Sequence, residues 1–368
     1  MLTIHPPKRF LFGPGPTQVE PRVYEAMSQP VVGYLDPYFF EVADHVRKGL
    51  QKVFGTGNEM TLAVSGTGSS GMETAVSNFV APGSKFAVFV GGYFAERLCE
   101  MGRRHGANVV KLDKPWGEAA SDTEARDFIL AERPSTVAYV HAETSTGVLQ
   151  SGKAICEAAH EVDALVIADC VTSLGGVKVG VDETGIDIAY SCTQKGLSCP
   201  PGLSPFTASP RAVERLLARK QPNTVWYLDL VLLNDYYSSS HRYHHTAPIS
   251  NFYALREGLA LIQEEGVEAR WARHLANHNL LVAGLEGMGL TMHVAPGYRI
   301  PHLNTVRVPE GVDDVAVRKR LIGNFGIEIA GGFGPLAGKI FRVGLMGPLS
   351  TSENTQFFLD AFQKSLHS

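Results

Sequence analysis

Five short apolar runs punctuate the first two thirds of the sequence: Thr61-Leu-Ala-Val-Ser65, Lys85 to Val90, Thr136 to Val140, Ala164 to Ala168 and Ile186 to Tyr190. Segments long enough for helices of ten or more residues separate them. That alternation is the strongest constraint on the fold. Strands apolar on both faces need cover on both sides, and parallel neighbours need helical crossovers, so the pattern requires an α/β domain with a parallel sheet between helices. One helix is legible at both ends. Asp36-Pro37 offers an N-cap and a proline at the first helical position, Phe39, Ala43, Val46, Leu50 and Val53 recur at helical spacing, and Gly55 closes it. Met72 to Val80 reads as another helix, stopped by Pro82-Gly83. Beyond Tyr253 the rhythm changes to a long helical stretch reaching Leu285 with interruptions. Strands then follow near Thr305 to Val308 and Ile340 to Val343, with helices near Asp314 to Ile322 and Glu353 to Leu366. A single core stops growing at about 250–300 residues. The 368 residues therefore predict a large domain over 17–255 and a smaller C-terminal α+β domain over 256–368, preceded by an N-terminal arm over 1–16. In the arm, Phe12-Gly-Pro-Gly-Pro16 cannot form regular structure and reads as chain lying on something else.

The charge balance, 33 Lys plus Arg against 37 Asp plus Glu, and the lack of a basic run argue against nucleic acid as a partner. No apolar stretch approaches the ~20 residues of a membrane span. Met1-Leu-Thr-Ile-His-Pro-Pro lacks an apolar signal core, so a soluble, unexported protein is expected. The five cysteines, at 99, 156, 170, 192 and 199, form no C-x-x-C pair, which indicates neither a disulfide framework nor a metal cluster and fits a reducing cytoplasm. The final Ser365-Leu-His-Ser368 does not form the peroxisomal S-K-L address.

Asp169 closes the fourth apolar run, and Lys195 follows the polar turn after the fifth, in Ser191-Cys-Thr-Gln-Lys195-Gly. A carboxylate and a lysine so disposed suit pyridoxal phosphate: the first keeps the ring nitrogen protonated, the second holds the aldehyde as a Schiff base and moves protons. Alone, each has a plainer reading, as a helix cap and as a solvated surface lysine. Ser65-Gly66-Thr67-Gly68-Ser69-Ser70-Gly71 satisfies G-x-G-x-x-G between a strand and a helix. A dinucleotide would also need an acidic residue at the end of the next strand, but that strand ends Phe89-Val90-Gly91-Gly92. The loop suits a single phosphate, with an ordinary glycine-rich turn as the alternative.

Taken in order, the Gly-Pro-Gly-Pro arm, this loop, Glu143-Thr-Ser-Thr-Gly147, Ala168-Asp169, Thr193-Gln-Lys195-Gly, Pro200-Pro-Gly-Leu203, Tyr243-His-His-Thr246-Ala-Pro and Phe341-Arg342-Val-Gly-Leu-Met-Gly347 resemble class V aminotransferases of pyridoxal phosphate fold type I. Within them the chain looks most like the alanine:glyoxylate and serine:pyruvate (serine:glyoxylate) group. The resemblance implies a large domain with a mainly parallel seven-stranded sheet. It implies Lys195 and Asp169 as catalytic residues. Phe94 and Val171 would stand on the ring faces; Thr67, Gly68, Ser69 and Gln194 would hold the phosphate. Thr144 would approach the 3-hydroxyl side, and Tyr243 and Thr246 would reach the phosphate of the neighbouring subunit in a homodimer. Arg342 would grip the substrate carboxylate, with Gly15 and Thr144 beside it. Phe94, where the family often has Trp, and Gly33-Tyr34-Leu-Asp36, where basic or His residues often follow the glycine, are departures.

The activity implied is ping-pong transfer of the amino group of alanine or serine to glyoxylate, with pyruvate as another acceptor. Ureidoglycine:glyoxylate and pyridoxamine:pyruvate aminotransferases are the near alternatives, and Asn251 offers an amide to a ureido group. A class V lyase or desulfurase is a remoter one, because Gln194 stands where those enzymes usually carry His. Cys170 and Cys192 read as buried small hydrophobes rather than nucleophiles.

Overall fold

The structure, a computed structural model, describes residues 4–367. Residues 1–3 of the expected arm and signal-free start, and Ser368 of the C-terminal sequence, lie outside the described residues. The large sheet has seven strands: β1 (Met60–Ser65), β2 (Lys85–Val90), β3 (Asn108–Asp113), β4 (Thr136–Val140), β5 (Leu165–Asp169), β6 (Ile188–Tyr190) and β7 (Leu203–Ala208), in the order β1-β7-β6-β5-β4-β2-β3. All neighbours are parallel except β7, which runs antiparallel to both β1 and β6.

Successive side chains of the central strands enter opposite cores, as strand geometry requires. Val137, Tyr139, Val166 and Ala168 pack on one face with Val46, Leu50 and Phe54 of α1 (Pro37–Phe54). Ala138, Val140, Leu165 and Ile167 pack on the other with Met72 and Val76 of α2 (Gly68–Phe79) and Leu98 of α3 (Tyr93–Arg104). The ends of α1 are those the sequence signals: Asp36 accepts from Tyr38 N at 2.9 Å, and Gly55 adopts φ 70°. Helix α2 begins four residues before the expected Met72, so its first turn belongs to the glycine-rich loop.

A three-stranded antiparallel sheet, with β8 (Leu303–Arg307), β9 (Ala330–Gly331) and β10 (Ile340–Gly344) in the order β8-β10-β9, forms the smaller domain. The expected boundary at 255/256 falls inside one continuous helix, α4 (Ile249–Glu265), whose Leu255, Leu259 and Ile262 belong to a large-domain core. The second core begins further on, at Leu281 of α5 (Val267–Gly287). The N-terminal segment joins this second core. Phe12 is fully buried there, and Phe10–Leu11 pairs in parallel with Ile327–Glu328. Among the described residues no helix is long and apolar enough to cross a membrane.

Candidate active site

Asp169 stands at the C-terminal end of β5, 2% exposed, with Oδ1 accepting from Val171 N at 2.9 Å and Oδ2 from the Tyr190 hydroxyl at 2.8 Å. These bonds fix the plane of the carboxylate. Burial pushes its pKa up to about 6, against the pull of its two donors and of the Arg97 and Lys195 charges. A cation at its free lone pairs would reverse that shift.

Lys195 lies beyond β6 in a tight turn rather than at a strand end. Ser198 N donates to Lys195 O at 2.9 Å, and Thr193 Oγ1 donates to Pro200 O at 2.7 Å. The buried Arg270 of α5 braces the turn from the opposite side, donating to Gly196 O at 2.8 Å, Ser198 Oγ at 3.2 Å and Gly175 O at 3.1 Å. The lysine amine donates to the carbonyl of Pro14. Burial lowers its pKa; the neighbouring Arg342 adds to the lowering, while Cys192 and Asp169 oppose it. Cys170 and Cys192 are buried thiols whose pKa burial raises, Cys192 to about 12, so neither is poised as a nucleophile.

The glycine-rich loop enters α2 with Thr67 as N-cap, its hydroxyl capping nothing, and with Ser69 exposed beside it. Gly68 is pressed against the site: a Cβ there would lie 2.9 Å from Val171 Cγ2 and 3.3 Å from Cys192 Cβ. The first turn of a helix is thus open to an anion next to the residue expected on the ring face. Phe94 stands in the first turn of α3. Glu143 fixes that turn, accepting from Phe94 N at 3.2 Å and Ala95 N at 3.3 Å through one oxygen and from the Ser145 hydroxyl at 2.6 Å through the other.

Arg342, on β10, is 3% exposed. Its Nε donates to Gly331 O at 2.7 Å, its Nη1 to Thr144 O at 3.4 Å, and the Phe333 ring covers one guanidinium face at 4.1 Å. Burial brings its pKa down to about 10, still a cation at neutral pH. The Thr144 hydroxyl is bonded to that of Thr172, next to Val171.

Tyr243 and Thr246 are exposed on this chain, Tyr243 at 56% with its ring 5.0 Å from that of Tyr34. The histidines between them are buried. His245 Nε2 bonds the Ser65 hydroxyl at 2.7 Å and its Nδ1 faces His244 Nδ1 at 2.9 Å, so the pair ties this loop to the head of the phosphate loop. Sequence reasoning missed Glu143, Tyr190, Arg97 and Arg270. Only Glu143 left a trace, as the first residue of the Glu-Thr-Ser-Thr-Gly motif.

The family model for aminotransferase class-V matches residues 9–335. The chain belongs to the class V aminotransferases. It is similar to the (S)-ureidoglycine–glyoxylate transaminase of Bacillus subtilis, 39% identical over 378 residues covering 98% of this chain and 91% of that protein. The alanine–glyoxylate aminotransferase of Callithrix jacchus is 37% identical over 364 residues, with 98% and 88% covered. Among solved structures, the alanine–glyoxylate aminotransferase of a Nostoc species superposes with a TM-score of 0.98 at 46% identity, covering 100% of this chain and 97% of that one. The large sheet and the smaller domain are therefore those of the fold type I aminotransferases, and the enzyme catalyses transamination.

Class V aminotransferases generally depend on pyridoxal phosphate, and the residues of this site fit that group. Gln194 Oε1 is buried without a partner, the first turn of α2 is open, and a buried carboxylate and amine stand within electrostatic reach of each other. Gly15 adds a steric requirement. Its φ is 115°, and a Cβ there would fall 2.6 Å from Lys195 Cδ and 2.8 Å from Nζ. Gly15→Ala is expected to strain the backbone by about 1–3 kcal/mol and to displace the lysine. Turnover in this aminotransferase should fall by about 100-fold; wild-type kinetics in the variant would show that the approach is not needed.

Proposed function

We propose that this aminotransferase uses pyridoxal 5'-phosphate to move the amino group of a small L-amino acid, alanine or serine, to glyoxylate, with pyruvate as a further acceptor. The observation that carries the reading is the Lys195 amine held against the Pro14–Gly15 segment, in a site that also holds the buried Asp169 carboxylate and the buried Arg342 guanidinium.

When bound, the cofactor supplies an electron sink for the bonds of the substrate α-carbon. Asp169, its plane set by Val171 N and Tyr190, would keep the ring nitrogen protonated. Val171 and Phe94 would confine the ring, and Thr67, Gly68, Ser69 and Gln194 would hold the phosphate. Arg342 takes the substrate carboxylate with its planar fork, and Phe333 keeps water off one face of that pair. Lys195, its basicity lowered by burial, moves the proton at the α-carbon. Thr144 and Gly15 crowd this space, which favours a side chain of alanine or serine size.

The same proposal makes the enzyme a cytoplasmic homodimer. Tyr243 and Thr246 are turned outward on an anchored loop, and Trp226 and Tyr227 are exposed at 59% and 44%, a surface suited to completing the site of a second subunit. One observation favours a second reading. Asn251 spends its amide N–H on Pro201 O at 3.2 Å, and it lines one surface hollow with Tyr34 and Thr246. Its amide oxygen is thus available to a ureido group if that wall faces the neighbour's substrate. The desulfurase alternative lacks support, since all five cysteines are buried.

The test is the visible spectrum of the purified enzyme. Loss of its yellow band with L-alanine or L-serine, and return of the band with glyoxylate, is the expected result. A band that ignores both donors and responds to ureidoglycine would transfer the assignment to the second reading, and response to free pyridoxamine and pyruvate would transfer it to that pair.

A further inference from the structure

Arg97 acts on Asp169 only as a nearby charge, yet its side chain touches two walls of the site. It lies one turn beyond Tyr93 and Phe94 on α3, and helical side chains lean back toward the N-terminus. Its guanidinium carbon accordingly sits 5.1 Å from the Phe94 ring centroid and 5.3 Å from that of Tyr93, and Nη1 donates to Ser69 Oγ at 3.1 Å. Among the described residues it forms no ion pair with a carboxylate, whereas its neighbours on α3 do: Glu96 pairs with Lys111 and Glu100 with Arg104. An uncompensated guanidinium beside an open helix N-terminus makes the cup more positive, and a planar cation against the Phe94 ring holds that ring in one orientation.

We propose that Arg97 is a cofactor-positioning residue that joins the ring-stacking wall at Phe94 to the phosphate cup at Ser69, supplying charge to the second and rigidity to the first. The inference rests on the pyridoxal phosphate reading. It gives one side chain control over both how tightly the phosphate is held and how the ring lies between Val171 and Phe94.

The experiment is titration of pyridoxal 5'-phosphate into the apoprotein of wild type, Arg97→Met, Arg97→Lys and Ser69→Ala, followed by visible absorbance and visible-band circular dichroism. Arg97→Met should weaken cofactor binding by about 10- to 100-fold and reduce the dichroic band. Arg97→Lys, which keeps the charge without the planar fork, should fall between. Ser69→Ala should cost less once Arg97 is already Met, and unphosphorylated pyridoxal should feel Arg97→Met less than the phosphate ester does. Binding by Arg97→Met within about twofold of wild type, or full additivity with Ser69→Ala, would overturn the proposal. A wild-type protein that acquires no band at all would overturn the cofactor reading itself, a different and separable result.

Discussion

Lys195→Ala is expected to lose transamination by about 10⁴-fold or more, because the substitution removes both the positioned proton carrier and the covalent anchor. Stability should not fall with it. Lys195 is half-buried, desolvation of its amine lowers the pKa, and its hydrogen-bond partner among the described residues is a single carbonyl, that of Pro14. Removing a buried amine relieves a desolvation cost comparable to the bond it gives up. Single-turnover absorbance with donor amino acid, alongside thermal unfolding, separates the two effects. Substantial turnover in the variant would remove Lys195 from the mechanism. Equal loss of activity and folding would make the lysine structural.

Lowering the pH from 6.5 to 4 should cost the apoprotein a net stability of order 3 kcal/mol. His302 is fully buried and His141 half-buried, each has a buried, unpartnered Nδ1, and desolvation pushes each pKa down to about 4. His274 is held well below its ordinary value, chiefly by burial, and its Nε2 accepts from Gly347 N at 3.1 Å, a bond only the neutral ring can receive. In the window between 4 and 6.5 the unfolded chain protonates these rings and the folded chain does not. The unfolded state therefore binds more protons, and stability rises with pH. Asp169 works in the opposite sense: its carboxyl is raised to about 6, so its contribution is full below its ordinary 3.8 and is lost as pH rises through 6, and Glu143 is also raised by burial. His141 and His302, at about 2.5–3 kcal/mol apiece over this range, outweigh Asp169 at about 2 kcal/mol; His274 adds to the loss and Glu143 takes from it. Urea unfolding at pH 7, 6, 5 and 4 measures the balance; equal stability at the two ends would contradict it.

The legible parts of this molecule were those written locally. The five apolar runs became strands because each is short, apolar on both faces and buried almost throughout, and α1 kept the limits its cap, proline and glycine announce. Strand β7 was hidden because Pro205 interrupts it, and proline ordinarily argues against an interior strand. Here Pro205 O accepts from Ser191 N at 2.8 Å, and Ser191 O, which proline cannot supply with an N–H, accepts instead from the Ser204 hydroxyl at 2.6 Å. Strand β3 was hidden because it forms the half-exposed edge, with Asn108 and Lys111 in its run. The expected boundary at 255/256 falls within α4, whose packing on the large-domain core continues to Ile262; the break in the helix comes at Gly266, between α4 and α5. Asp169 and Lys195 were readable from their strand-end and turn context. Tyr190, Arg97 and Arg270 were not, because only the folded sheet and α5 bring them to the site.

The antiparallel strand also sets an order of assembly. Strand β1, which leads into the glycine-rich loop, has among the described residues a single neighbour in the sheet, and that neighbour is residues 203–208. On the ribosome, residues 60–65 therefore wait as an unpaired apolar strand while the segments bearing Asp169 and then Lys195 are synthesised. Long-range pairing of this kind is slow to form and leaves an exposed edge in the interval. The strand at residues 60–65 consequently needs shielding in that interval, and the glycine-rich loop joins the candidate site around Asp169 and Lys195 only when translation has passed Ala208.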